Sequence, residues 1–282
     1  MKPFFILLLI ASIVACTPLS QAQETVLYEV SFANAVHHEA RISVTYNDLP
    51  ADLEVLEMRM SRSSPGRYAL HEFAKNVYQV SAVDRDGNPL EISRPSPYQW
   101  NIANPGSYVK LSYTLFADRA DGTYSQIDLS HAHLNMPATF MWARNFDHRP
   151  LRVRFTEFNT DWKIATQLVP TPRSNEFTAP DLQYFLDSPT EISDFSLREF
   201  SVQSQGEVYL IRLAVHHDAS EEDVDELAQM AEKVVYEHMA VYGELPNFDH
   251  GTYTFIADYL PYVNGDGMEH RNSTILTNSN GL

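Results

Sequence analysis

The spacing of hydrophobic residues changes once along the chain, at about residue 200, and this change limits the folds that the chain can adopt. Before it, short segments alternate apolar and polar residues and end at Gly, Pro, Asn or Asp, a pattern typical of half-buried antiparallel strands. The alternating apolar positions are Ile42, Val44, Tyr46, Leu56, Met58, Met60, Tyr98, Trp100, Ile102, Val109, Leu111, Tyr113, Leu115, Leu151, Val153 and Phe155. The sequence therefore predicts an amino-terminal β-domain over residues 23–200, an antiparallel β-sandwich or twisted sheet.

Two Asp-Gly pairs mark turns in this region. Asp86-Gly87 lies between two apolar segments, and Asp121-Gly122 follows a third. Tight turns need positive φ, which glycine adopts without strain, so both pairs predict hairpins.

The second region, residues 201–282, has a different pattern and predicts an α+β part. Residues 208–215 are almost continuously apolar, which indicates a strand covered on both faces. A helix then begins at the cap Ser220, with Asp223 three residues later, and ends before Gly243. His238 lies on its apolar stripe and is predicted to be a core histidine. Residues 253–257 alternate again and predict another strand.

The net charge disfavours some classes of partner, and the cysteine content excludes an internal disulfide. The net charge is -17, from 20 basic and 37 acidic side chains, and it disfavours nucleic acid and anionic lipid as partners. Cys16 is the single cysteine, so a mature chain cannot form an internal disulfide. The fold must depend on burial of a hydrophobic core, which a chain of this length can achieve.

The first residues are typical of an export signal. Lys2 precedes an apolar run over residues 4–14, which is too short to span a bilayer but fits the core of a secretory signal. Two processing sites remain open. Ser20-Gln21-Ala22 suits an ordinary signal peptidase, whereas residues 13–16 resemble a bacterial lipobox in which Cys16 becomes lipidated. The sequence predicts an exported protein, either periplasmic or lipid-anchored in the bacterial envelope.

The 282 residues contain no H-E-x-x-H, the motif that places two histidines and a catalytic glutamate around a zinc ion. Two segments begin with the His-Glu pair of this motif but lack its second histidine. His38-Glu39 is followed by Ile42 at the second ligand position, within an alternating strand, and His71-Glu72 is followed by Lys75, a cation. We therefore predict no metal ligand in either segment.

Two other histidine pairs, His131-x-His133 and His216-His217, also receive no metal assignment. His131 and His133 would share one face of a strand, because successive side chains of a strand point to opposite faces. No cysteine accompanies them, and Asp128 is the nearest carboxylate in sequence. The sequence alone thus predicts no metal site.

Four segments in collinear order resemble one family. They are Ser-Pro-Gly-Arg-Tyr at 64–68 with Glu-Phe-Ala-Lys-Asn-Val at 72–77, Leu-Asp-Ser-Pro-Thr-Glu-Ile at 186–192, Tyr-Gly-Glu-Leu-Pro at 242–246, and Gly-Met-Glu-His at 267–270. Together they resemble the glycyl aminopeptidase family of zinc metallopeptidases over nearly the whole mature chain. The resemblance implies an amino-terminal β-domain packed against a thermolysin-like catalytic domain, and zinc as the cofactor of a complete member.

The resemblance also implies a substrate site. Glu269 would bind the free α-ammonium of a peptide, Gly267 would let the backbone approach the substrate, and Met268 would line the first subsite. His270 takes the position of an asparagine in other zinc aminopeptidases. Residues 273–277 are predicted to form an edge strand that pairs with the peptide.

The same resemblance places the zinc ligands after residue 282. We therefore expect the chain to be the amino-terminal portion of an aminopeptidase with a preference for glycine or another small residue. It would be a truncated reading frame or a fragment, without its own cofactor and inactive alone.

Two other functions remain open. The β-domain contains five aromatic residues suited to a peptide- or carbohydrate-binding module, although Trp100 lies in an alternating strand and is expected in the core. These residues are Tyr68, Tyr98, Trp100, Trp142 and Trp162. The other alternative is an interaction role as the separated half of a split peptidase.

Overall fold

A computed structural model describes residues 24–282. The predicted signal segment and the lipidation site Cys16 lie outside these residues. The described part is mostly β, with four sheets and three α-helices. None of the helices within it combines the length and the apolar character that crossing a bilayer requires.

The elements follow one another in chain order as strands interrupted by short helices. The strands are β1 (Val26–Ser31), β2 (Glu39–Asn47), β3 (Val55–Arg59), β4 (Val77–Val83), β5 (Ile92–Ser96), β6 (Gln99–Ala103), β7 (Tyr108–Phe116), β8 (Gln126–Ile127), β9 (His131–Leu134), β10 (Trp142–Ala143), β11 (Leu151–Thr156), β12 (Lys163–Thr166), β13 (Val169–Pro170), β14 (Glu176–Ala179), β15 (Thr190–Ser193), β16 (Ser196–Ser204), β17 (Glu207–His217), β18 (Thr252–Tyr259), β19 (Asp266–Glu269) and β20 (Ser273–Asn278). The helices are α1 (Met136–Thr139), α2 (Leu182–Leu186) and α3 (Glu221–Tyr242).

The first three sheets form the predicted β-domain. The first has seven strands in the order β13-β14-β11-β1-β2-β7-β4, the second has the order β10-β3-β6-β5, and the third has the order β12-β15-β9-β8. Their neighbours are antiparallel except β1 and β11, which are parallel. The prediction of a mainly antiparallel β-domain is therefore confirmed.

The core of this domain consists of the apolar residues of the alternating segments. Ile42, Leu111 and Met58 are fully buried in one continuous cluster. The hydroxyls of buried tyrosines form hydrogen bonds with backbone groups. The hydroxyl of Tyr113 donates to the carbonyl of Thr139 at 2.8 Å and accepts from the amide of Met141 at 3.0 Å. Burial raises the pKa of Tyr46 to about 12, so this phenol stays neutral in the core.

The reason for predicting a turn, a glycine with positive φ, holds at one of the two Asp-Gly pairs. Gly87 has φ of 85° in the turn after β4, as the sequence predicts. Gly122 has no positive φ. Its place requires the absence of a side chain, because a Cβ there would lie 3.1 Å from the side chains of Arg67, Asp266 and Met268.

The fourth sheet forms the second part, in the order β16-β17-β18-β20-β19. It starts at Ser196, a few residues before the predicted boundary at 200. β20 lies between β18 and β19, so the expectation of an edge strand at residues 273–277 is wrong and the edge strand is β19.

Helix α3 begins and ends as predicted. Ser220 accepts from the amide of Asp223 at 3.2 Å, and the Asp223 carboxylate accepts from the amide of Ser220 at 3.0 Å. Gly243 ends the helix with φ of 85°. His238 is exposed, however, and is not a core histidine, because its side chain lines the open groove between α3 and the sheet.

The close approach at Gly122 leads to the first prediction. Gly122→Ala should reduce the free energy of unfolding by about 1–3 kcal/mol, because the new methyl group displaces Arg67, Asp266 and Met268 from their close packing. Chemical denaturation measures this. Gly267→Ala is the matched control, since nothing lies within 4 Å of its Cβ position. Equal stability of both variants would contradict the packing argument.

Candidate functional site

Strand β19 carries the predicted substrate residues along the free edge of the fourth sheet. Its side chains alternate between the two faces of the sheet. Gly267 and Glu269 are exposed, whereas Met268 is 2% exposed and packs with Ile256 and Ile275 against the β-domain. The strand therefore presents the Glu269 carboxylate outward, while Met268 fixes the strand to the body of the protein. The role of Met268 in a subsite remains a prediction.

Glu269 lies on the wall of an apolar groove of about 710 Å³ between the fourth sheet and α3. Side chains from both elements line the groove, among them Val235, Tyr253 and Leu276. Burial, with a contribution from the Glu269 carboxylate, raises the pKa of Tyr253 to about 12. The phenol therefore stays neutral, and its hydroxyl donates to the carbonyl of Ser273 at 3.1 Å. A carboxylate beside an open apolar groove suits a cationic group attached to an apolar or small side chain.

The start of β19 is held by the β-domain. Asp266 forms an ion pair with Arg67 and accepts from the amide of Gly122 at 3.1 Å. Arg67 belongs to the Ser-Pro-Gly-Arg-Tyr segment that carried the family resemblance. That segment therefore positions the edge strand, although it is distant from it in sequence.

The end of β19 is held by Asp187, which lies in the β-domain between α2 and β15. The Asp187 carboxylate accepts from Nδ1 of His270 at 2.8 Å and from the amide of Arg271 at 3.0 Å. Gln167 adds a further contact, since its Oε1 accepts from the amide of Asn272 at 2.9 Å. His270 thus has a positional contact, and Glu269 lies between two anchored points.

The groove does not provide a zinc site. His238, Glu244 and Glu269 line it, but they are not among the acidic and histidine side chains that come together as potential ligands. Within residues 24–282, one such group exists, and it lies elsewhere, at the boundary between the third and fourth sheets. We therefore derive no step of a reaction through zinc at this groove.

The group at the boundary consists of buried histidines and carboxylates from both sheets. β9 contributes His131 and His133, β15 contributes Glu191, β17 contributes His216 and β18 contributes Asp258. Four of the five side chains have no exposed surface, and His216 is 6% exposed. We call these five residues the buried cluster.

Charges within the buried cluster shift one another's pKa. Although burial opposes the charged form, Asp258 and Glu191 raise the pKa of His133 to about 10. Although burial opposes ionisation of Asp258, His133, His216 and His131 hold the pKa of that carboxyl below its usual range. Although burial and Asp258 oppose its ionisation, His131 and His133 also hold the pKa of Glu191 below its usual range.

Sequence reasoning did not assign a metal to the histidines of this cluster. The expectation that His131 and His133 share a face is confirmed, because both rings are buried beside Glu191. The carboxylates come from positions far along the chain, and Glu191 pairs directly with His133 across the sheet. A signal existed at Asp258, a charged residue that follows the alternating strand residues Tyr253, Phe255 and Ala257, but its partners could not be read from spacing.

The aromatic residues that the sequence offered for a binding module differ in their exposure. Trp100 is 3% exposed and belongs to the core, as predicted. Trp142 is half-buried, and its indole nitrogen donates to Ser61 at 3.1 Å. Tyr68 is exposed.

Comparison with known families identifies the chain. The model of the peptidase M61 N-terminal domain matches residues 27–194. The chain belongs to the M61 peptidase family. The resemblance drawn from four short segments is thereby confirmed, and the M61 domain covers the first three sheets. No curated protein matches the chain in sequence.

Solved structures share the fold of this M61 chain. An aminopeptidase N family protein from Idiomarina loihiensis has a TM-score of 0.75 at 21% identity, over 90% of this chain and 42% of that protein. Aminopeptidase A of Legionella pneumophila, in complex with aspartic acid, has a TM-score of 0.52 at 10% identity, over 90% of this chain and 30% of that protein. The M61 chain thus spans less than half the length of either structure.

The contacts of Asp187 lead to the second prediction. Asp187→Ala should lower the free energy of unfolding by about 1–3 kcal/mol, because the buried His270 ring and the amide of Arg271 lose a half-buried acceptor. Hydrogen exchange should accelerate over residues 266–271. Asp218→Ala, at an exposed aspartate after β17, is the control and should change neither measurement. Unchanged exchange in the Asp187 variant would show that this contact does not hold β19.

Proposed function

We propose that the 282 residues form the amino-terminal portion of an exported zinc aminopeptidase that releases glycine or another small residue from peptides. The β-domain is the scaffold, and the fourth sheet with α3 is the start of a thermolysin-like catalytic domain. The observation that carries the proposal is the placement of Glu269. Its carboxylate is exposed at the end of an anchored edge strand, on the wall of an apolar groove.

Glu269 binds the α-ammonium of the substrate. A charge-assisted hydrogen bond between a carboxylate and an ammonium group is strong and directional, and it selects peptides with a free amino terminus. The anchors at Asp266 and His270 keep this carboxylate in place, so little ordering is needed when the substrate binds. The free edge of β19 offers main-chain groups to an extended peptide.

In a complete member, a bound zinc ion would supply Lewis-acid chemistry for the scissile carbonyl and for a water molecule. The H-E-x-x-H motif that holds it is absent from these 282 residues, so we assign them binding and positioning and no bond-breaking step. The fold shared with aminopeptidase structures supports this division.

The role of Glu269 gives the third prediction. When the 282 residues are expressed together with the coding sequence that follows codon 282, Glu269→Gln should lower kcat/KM for a free glycyl substrate by about 10- to 100-fold, since a charged hydrogen bond is lost. Assays with aminoacyl substrates measure this. An N-acetylated substrate should not be cleaved by either form.

Glu244→Gln is the matched control for this experiment, because Glu244 lines the same groove but does not lie on β19. It should retain nearly full activity. Undiminished turnover in the Glu269 variant would contradict the proposed recognition of the α-ammonium. Turnover by the 282-residue chain alone would contradict the assignment of the chemistry to residues outside it.

Export and anchoring are part of the proposal, and the fourth prediction concerns them. Cys16 becomes the lipidated first residue of the mature protein, because it is the single cysteine and stands at the position that a lipobox needs. Mass spectrometry of the envelope protein should find acyl chains on Cys16, and Cys16→Ser should abolish them. A mature chain that starts at Gln23 would show ordinary cleavage instead.

A further inference from the structure

The buried cluster joins the two parts of the protein at strand positions that face one another. Glu191 on β15 pairs with His133 on β9 in the third sheet, and His131 lies two residues away on the same face. His216 on β17 pairs with Asp258 on β18 in the fourth sheet. Two pairs of strands from separate sheets therefore direct their polar side chains into one closed space.

Four atoms of the buried cluster have the mutual distances of ligands around one small cation. Nδ1 of His131 lies 3.2 Å from Nδ1 of His216, 3.3 Å from Oε1 of Glu191 and 3.9 Å from Oδ1 of Asp258. Nδ1 of His216 lies 3.8 Å from the Glu191 oxygen and 3.7 Å from the Asp258 oxygen. Tetrahedral zinc with nitrogen and oxygen ligands near 2.1 Å would separate its ligands by about 3.4 Å.

The same atoms lack adequate partners within the described protein. Oε1 of Glu191 and Oδ1 of Asp258 are buried and accept no hydrogen bond there. An ionised carboxylate oxygen without a partner in the interior is costly. The two Nδ1 atoms at 3.2 Å cannot both carry a proton, so at least one of them directs a lone pair into the same space.

Charged groups lie on the outer sides of these ligands, and one of them, His133, forms a hydrogen bond to Glu191. Nδ1 of His133 lies 2.9 Å from Oδ2 of Asp258 and 3.2 Å from Oε2 of Glu191, the oxygens that point away from the central space. The Asp128 carboxylate lies 3.8 Å from Nε2 of His131 on the far side of that ring. Carboxylates and histidines in such outer positions commonly orient metal ligands.

We propose that His131, Glu191, His216 and Asp258 bind one zinc ion that joins the β-domain to the fourth sheet. Two imidazoles and two carboxylates in a four-coordinate arrangement suit zinc, whereas calcium and magnesium prefer six or more oxygen ligands. All four ligands are buried and belong to the protein, so no coordination position is left for a substrate. The ion is structural, and it is separate from the zinc of the peptidase reaction.

Zinc content of the 282-residue chain tests the proposal, because this chain contains no H-E-x-x-H to hold another zinc. After dialysis against zinc-free buffer, elemental analysis should find about one zinc per chain. Removal of the ion with a strong chelator should lower the thermal midpoint by more than about 5 °C, and zinc should restore it. Cobalt in its place should give the visible absorption of a tetrahedral ion.

Variants localise the ion. His216→Ala and the isosteric Asp258→Asn should lose most of the zinc and the response to chelator. His217→Ala is the matched control, because His217 follows on the same strand but contacts Ser196, with Nε2 at 3.0 Å from the hydroxyl. It should keep both.

Three outcomes would overturn the proposal: a wild-type chain that binds no zinc when incubated with it, a folded His216 variant that keeps its zinc, or a thermal midpoint that does not respond to the chelator. If the variants do not fold, anomalous scattering at the zinc edge from a wild-type crystal decides. Density at the centre of the four atoms would support the site, and its absence would refute it. None of these measurements depends on peptidase activity, so the proposed function can fail independently.

Discussion

The packing of the fourth sheet on the β-domain is the interaction on which the rest of the structure depends. One face of this sheet places Ala214, Ile256, Met268 and Ile275 against Ala165 and Phe195, and these residues are buried together. The opposite face of the sheet faces α3 and lines the groove. Because β19 is a short strand at the free edge, its position is set by that packed face and by its anchors to the β-domain.

Polar contacts at the margin of this interface fix how the two packed parts are oriented, which apolar burial alone does not do. Asp266 with Arg67 fixes one end of β19, and Asp187 with His270 fixes the other. The buried cluster occupies another part of the same boundary, where ionised groups without adequate partners would cost free energy unless a cation binds them. The β-domain is therefore more than a separate scaffold, since it determines where the candidate substrate carboxylate lies.

The alternating segments predicted the strands well, because a half-buried sheet imposes a period of two on its residues whatever its neighbours are. Helix α3 was equally readable, since Ser220, Asp223 and Gly243 act through local hydrogen bonds and backbone conformation. Predictions failed where a distant element decided the outcome. His238 is exposed because it lines the open groove between α3 and the sheet, and residues 273–277 are interior because β19 turns back to pair with them.

The sequence by itself determined the β-rich class, the capped helix and the family, because these depend on local periodicity and on short segments. It also supplied Glu269 as the candidate for amine recognition. Only the tertiary structure decided that Met268 points inward while Glu269 points outward, and that Gly122 is required for close packing. It alone brought His131, Glu191, His216 and Asp258 together. The physical reason is that sheet packing places these residues side by side, and no local spacing along the chain encodes which strands will meet.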